Sequence, residues 1–278
     1  MKPERGLLIS YKEATEMRSC MGELPGEILE PSARSLSLRD VDAELDAIAV
    51  RYRAAGSFGM RLLNALGGQG EDLMRRLPAP VQGAIEAAVL QALHLSVRGA
   101  ALSRRVVPDQ PARTNRWVST TMGMVGGAAG LPGALVELPA TTTFLMRSIQ
   151  GVAQDYGFDP NAKSVRFDAV EVFAAAGPMA HDDGADTGFL TLRLGLSGAS
   201  LSQLIAVVAP RLAVALGPKL AAQMVPVLGA VAGGSVNYVY SGYYQEMAHV
   251  HFALRRLALE ADTPYPQMVE RLQQRLLT

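Results

Sequence analysis

The stretch "GMVGGAAGLPGALVELP", residues 123–139, holds five glycines and two prolines in an apolar run whose only ionisable side chain is Glu137. A phosphate-cradling loop needs a lysine and a hydroxyl after its glycines, and neither follows here. The glycines instead recur at helical spacing. Gly123/Gly127 and Gly126/Gly130 are four apart, and so are Gly229 and Gly233 further on. A small residue every fourth position lets two helix backbones approach closely, in lipid and in a protein interior alike. These six glycines are therefore predicted to be helix-contact positions.

Outward from this stretch the chain is low in charge. Residues 118–246 carry 6 basic and 9 acidic side chains, against 16 and 14 in residues 1–117 and 4 and 3 in 247–278. The run 220–245 has no charged side chain except in its neighbours. A spanning helix needs about 20 mostly apolar residues, and 118–136 and 220–245 meet that length. Their composition argues the other way. Both are rich in Gly, Ala, Ser and Thr, and they carry Pro132, Gln223, Pro226, Asn237 and three tyrosines, which suit an isolated span poorly. Packing within a soluble core is the favoured reading, with reversible hairpin-like insertion and a constitutive span left open.

Helical periodicity dominates elsewhere. Val41, Leu45, Ile48 and Tyr52 form one stripe from Leu38, with Ser37 and Asp40 as candidate caps. Residues 78–106 read as a long alanine-rich helix opened by proline, with His94 as a partly buried structural histidine. Leu145, Ile149, Val152 and Tyr156 make a second stripe that Gly157 should stop. Residues 164–177 read as a shorter helix, 246–261 as an amphipathic helix and 266–277 as one more. No alternating strands appear. The expected architecture is all-α: a helical domain over 38–278 with a glycine-rich apolar core, behind a loosely ordered N-terminal arm over 1–37.

The 278 residues are enough for a sizeable core. Lys plus Arg equals Asp plus Glu at 26 each, and aromatic residues make up 6%. With neither excess positive charge nor stacking platforms, nucleic acid is excluded as an expected partner. Mean hydropathy is +0.15. The single cysteine, Cys20, cannot form an intrachain disulfide. The first twenty residues show no apolar leader core. A cytoplasmic location follows as the expectation.

The segment "TMGMVGGAAGLPGALVELPATTTFLMRSIQGVAQDYGFD" (121–159) resembles the EcsC family, whose signature is a glycine-rich segment, Asp-Leu-Pro, threonines, an arginine and Tyr-Gly-Phe/Tyr-Asp. Glu137 stands where the family usually has aspartate, while Thr141, Thr142, Arg147, Tyr156, Gly157 and Asp159 match. With the similar blocks "VQGAIEAAVLQALHLSVRGA" and "PVLGAVAGGSVNYVY" the resemblance covers about residues 70–260. The family is named after a gene beside an ABC transporter linked to protein export, and it supplies no catalytic residues. The resemblance implies a helical domain at the inner face of a bacterial cytoplasmic membrane, in an accessory role for transport or envelope processes. The implied partners are membrane lipid, a membrane transport complex or a second copy of the chain.

Glu137, Thr141, Arg147 and Asn237 form the candidate polar site. A break at Pro139 would let Glu137 and Arg147 meet. The plainer alternative has Glu137 capping a helix that begins at Pro139, Arg147 paired with a carboxylate such as Asp155, and Asn237 bonding a neighbouring helix. Ser197 in "GLSGA" misses the hydrolase elbow by one residue and lacks the surrounding sheet. His181, Asp182, Asp183 and Asp186 read as a solvated acidic loop. His249 and His251, two apart on a helix, point in different directions and cannot share a metal. No catalytic residue, cofactor or metal set is assigned. The expected function is that of a non-enzymatic accessory protein, with a hydrolase of unknown substrate and a soluble oligomeric scaffold as alternatives.

Overall fold

A computed structural model describes residues 38–65, 78–104, 112–175, 190, 200–222 and 226–277. The arm 1–37, the loop 67–72, Ser197 and the acidic loop 181–188 lie outside the described residues. Those described build eight helices in one domain: α1 (Leu38–Ala65), α2 (Ala79–Arg104), α3 (Ala112–Ala128), α4 (Gly130–Asp155), α5 (Lys163–Val172), α6 (Leu201–Ala222), α7 (Pro226–Glu260) and α8 (Tyr265–Leu276). The fold is all-α, as its periodicity predicts.

α7 is the axis. Its 35 residues rise about 50 Å at 1.5 Å per residue, and it packs against α1, α3, α4, α5, α6 and α8. The sequence reading divides this span into an apolar segment ending at 245 and a separate amphipathic helix. The structure runs them together, since Tyr240, Tyr244, Met247, Val250 and Leu254 are all buried and no Gly or Pro interrupts residues 243–260.

α1 buries Val41, Leu45, Ile48 and Tyr52, the stripe its spacing predicts. α2 begins after Pro78, whose carbonyl accepts from the Val81 and Gln82 amides. His94 is exposed rather than partly buried. Leu93 and Val97 face the core, and one residue on from Leu93 the helix has turned through about 100°.

The 123–139 stretch is a hairpin. α3 ends at Ala128 and α4 begins at Gly130, whose φ of 70° is the left-handed conformation that suits glycine. The arms then close tightly: a methyl on Gly133 would sit 2.7 Å from the Gly126 carbonyl oxygen and against the Ala129 methyl. The reversal at Ala129 means that 118–136 is not one continuous helix. Pro139, expected to open a helix, lies inside α4 instead. It cannot donate to the Leu135 carbonyl. The threonines that follow turn their hydroxyls inward along the helix, Thr142 donating to the Leu138 carbonyl and Thr143 to that of Pro139, each at 2.7 Å.

α4 stops where expected. Gly157, with φ 80°, donates to the Gln154 carbonyl at 2.9 Å, and Phe158 reaches back to that of Ala153 at 3.0 Å. This paired C-terminal closure requires the left-handed residue.

Candidate functional site

Four of the six contact glycines line the seam between α3 and α7. A methyl on Gly127 would collide with the Gly229 carbonyl, and one on Gly123 with the Gly233 carbonyl and the Asn237 amide. Gly126 faces the Glu137 side chain on α4, where an added methyl would sit 2.8 Å from the Glu137 Cβ. Gly130 forms the reversal and not the seam. The sequence thus supplies backbone contact where α3, α4 and α7 converge.

That convergence holds a polar tie. Asn237 donates its amide to Glu137 Oε1 at 3.0 Å and to the Ser119 carbonyl at 2.9 Å, and the Ser119 hydroxyl donates to the Asn237 carbonyl at 3.4 Å. The Thr141 hydroxyl donates to the same Glu137 oxygen. Asn237, Ser119 and Thr141 are buried. Arg147 does not join them. With α4 continuous through Pro139, ten residues lift Arg147 about 15 Å along the axis from Glu137, and its carbonyl accepts from Arg104 on α2 at 2.8 Å. The candidate polar site is therefore Glu137, Thr141, Asn237 and Ser119, and its geometry is that of a helix tie.

A second buried constellation lies between α5, α7 and α8. Asp168 and Glu171, three apart, share one face of α5. His251 and Arg255, four apart, share one face of α7. Arg255 Nη1 pairs with Asp168 Oδ2, and His251 Nε2 stands 3.6 Å from Asp168 Oδ1. The Tyr265 hydroxyl on α8 lies 3.4 Å from the other ring nitrogen of His251. The guanidinium of Arg255 sits 4.7 Å over the Phe158 ring, and Phe252 meets His251 edge-on. Asp168, Glu171 and His251 are buried, with one ligand atom from each all within 4.8 Å of one another. The sequence reading did not single out Asp168 or Glu171. The available signal was two carboxylates three apart, flanked by the apolar Val165, Ala169, Val170 and Val172.

A groove of about 390 Å³ runs between α1, α3 and α7, lined by Val50, Arg51, Arg116, Val239, Tyr243 and Glu246 among others. Arg51 pairs with Glu246 at 3.0 Å and donates to the Tyr156 hydroxyl at 3.3 Å. His249 Nδ1 lies 3.2 Å from that hydroxyl. Burial and then the Arg51 charge push the His249 pKa down to about 4, and burial raises that of Tyr156. His249 and His251 do point to different neighbours, as their spacing requires.

The family model of the EcsC protein family matches residues 63–257, well over half of the chain. The protein belongs to the EcsC family. Comparison with curated proteins and with solved structures gives no match. The EcsC match takes in the α3–α4 hairpin, the polar tie, Asp168, Glu171 and His251, and stops short of α8 and most of α1.

Proposed function

We propose that this EcsC-family protein is a non-enzymatic accessory protein of the bacterial cytoplasmic membrane, held at its inner face by the α3–α4 hairpin and serving a transport complex or envelope process. The observation that carries the reading is a set of exposed apolar side chains on the hairpin and on the neighbouring end of α7. Val125 is 69% exposed, Val136 80% and Val231 61%, with Met124 beside them. The contacts of Gly126 with Glu137 and of Gly127 with Gly229 bring these helix ends to one level. No charged residue lies between Trp117 and Val136, nor between Pro226 and Gln245. The one carboxylate of the hairpin, Glu137, is tied to Asn237.

The dimensions suit one leaflet. Trp117 to Ala128 rises about 16 Å along α3, close to half of a hydrocarbon core of about 30 Å. Trp117, exposed and 6.1 Å from the Tyr238 ring, stands where amphipathic aromatics favour the headgroup level. No described helix is long and apolar enough to cross a membrane, so the element suits lying in the interface rather than spanning it.

The test is flotation with vesicles of phosphatidylethanolamine and phosphatidylglycerol. The wild-type protein should float, and a Val125→Glu, Val136→Glu, Val231→Glu variant should remain with the soluble fraction while keeping its melting temperature. A wild-type protein that never floats would sink the reading. So would a homo-oligomer in light scattering that the same substitutions dissociate, because a second copy would then cover the patch.

A further inference from the structure

We infer that the groove between α1, α3 and α7 is a site for the phosphate of an anionic phospholipid headgroup, taken up by the guanidinium groups of Arg51 and Arg116. The inference rests on the membrane reading above and names what the membrane presents to the protein. At about 390 Å³ the groove falls within the range of about 300–1,000 Å³ usual for small-ligand sites. Arg51, Arg116 and Glu246 are the charged side chains among the described residues that line it. The Glu246 carboxylate pairs with Arg51 Nε at 3.0 Å and lies 3.9 Å from Arg116 Nη2. Other partners fix the two forks in place. Arg51 Nη1 donates to the Tyr156 hydroxyl and Arg116 Nε to Gln245 Oε1, each at 3.3 Å. The Arg116 guanidinium also lies against bare backbone at Gly242, where an added methyl would sit 3.5 Å from its Cζ and Nε. The Arg51 and Arg116 side chains remain 42% and 28% exposed, so both can be reached from solvent. One carboxylate among two guanidiniums leaves the groove net positive, and planar guanidinium forks match phosphate oxygens.

The position of the groove points to a lipid rather than to free phosphate. α3 and α7 run antiparallel past it, with Ser119 at Asn237 and Arg116 at Gln245. The groove therefore begins at Val239, beside the Trp117–Tyr238 ring pair, and climbs away from the hairpin tip to Glu246. Tyr238 to Glu246 rises about 12 Å along α7. A bilayer about 40–45 Å thick with a hydrocarbon core of about 30 Å has a headgroup layer of about 5–8 Å on each side. With the ring pair at the edge of that layer, the groove crosses it. Its polarity is graded in the same sense, from Val239 nearest the hairpin to Arg51 and Glu246 furthest from it. A phospholipid along the groove sets its glycerol at Val239 and its phosphate at the arginines. Anionic lipids of the inner leaflet attract such basic groups.

The experiment titrates the full chain calorimetrically with dihexanoyl phosphatidylglycerol below its micelle concentration, and separately with glycerol phosphate. Wild-type protein should bind the short-chain lipid and respond far less to glycerol phosphate. Arg116→Gln and Arg51→Gln, each checked for a native helical spectrum, should weaken binding about tenfold or more through loss of a charged hydrogen bond. Glu246→Gln removes the competing carboxylate and should tighten binding about threefold to fivefold, a gain that a purely structural ion pair would not give. Glu270→Gln on α8, exposed and remote from the groove, makes the same change in net charge and should leave binding unchanged. A wild-type chain that does not bind the short-chain lipid at millimolar concentration overturns the site, even if it floats with vesicles. Binding without flotation upholds the site and removes only the membrane-held reading. Equal affinity for glycerol phosphate overturns the lipid assignment. An Arg116→Gln chain of wild-type affinity, or a Glu270→Gln gain equal to that of Glu246→Gln, overturns the site as well.

Discussion

The side-chain amide of Asn237 on α7 donates to Glu137 Oε1 on α4 at 3.0 Å, and it also reaches the Ser119 carbonyl on α3 at 2.9 Å. One buried amide therefore joins three helices at the point where glycine brings their backbones closest. Asn237→Ala should lower unfolding stability by about 1–3 kcal/mol, because it strips partners from groups that burial has taken from water. Urea denaturation measures this. A loss below about 0.5 kcal/mol would mean that the tie is not structural.

The glycine seam makes a sharper contrast. A Gly127→Ala methyl would meet the Gly229 backbone, which cannot swing aside as a side chain can. A cost of about 1–3 kcal/mol or more is expected from overpacking. Gly83→Ala, in α2 with nothing within 4 Å of the added methyl, should instead stabilise by about 0.5–1 kcal/mol through helix propensity. Thermal melts of the two variants should move in opposite directions.

Arg255→Ala removes an ion-pair partner of Asp168, which is buried at 0% exposure. Breaking a buried pair from one side costs about 3–5 kcal/mol, since the buried carboxylate loses that counter-charge. The variant should unfold at markedly lower urea, or accumulate only in aggregates on expression. Near-wild-type stability would show that the pair contributes little.

His249 sets a pH dependence. Its folded pKa of about 4 lies below the ordinary value of about 6.5, so between these values the unfolded chain binds more protons. Stability is then fully present above about pH 6.5 and is lost as pH falls toward 4. The ring is partly exposed, so the contribution is about 1–2 kcal/mol after allowing for solvent screening. His249→Gln should flatten this part of the stability–pH curve, and an unchanged slope would assign it to other groups.

Much of the fold was legible in local spacing. The stripes Val41–Leu45–Ile48–Tyr52 and Leu145–Ile149–Val152 are buried, and Gly157 ends α4 with the predicted positive φ. Pro139 suggests a helix start because proline disfavours helix interiors, yet α4 runs through it without a break. Arg147 was drawn toward Glu137 only by that supposed break. Asp168 and Glu171 passed unnoticed because a helix with two carboxylates among valines gives no local sign of an arginine and a histidine more than 80 residues away.

By itself the sequence determined the helices, the family and the spacing of the glycines, because helical periodicity acts over three or four residues and is written along the chain. The tertiary structure alone decided that residues 123–139 fold back on themselves, that Asn237 meets Glu137, and that Asp168 receives Arg255. Those partners stand 100 and 87 residues apart. Such pairings follow from how whole helices pack against α7, and no local spacing encodes them.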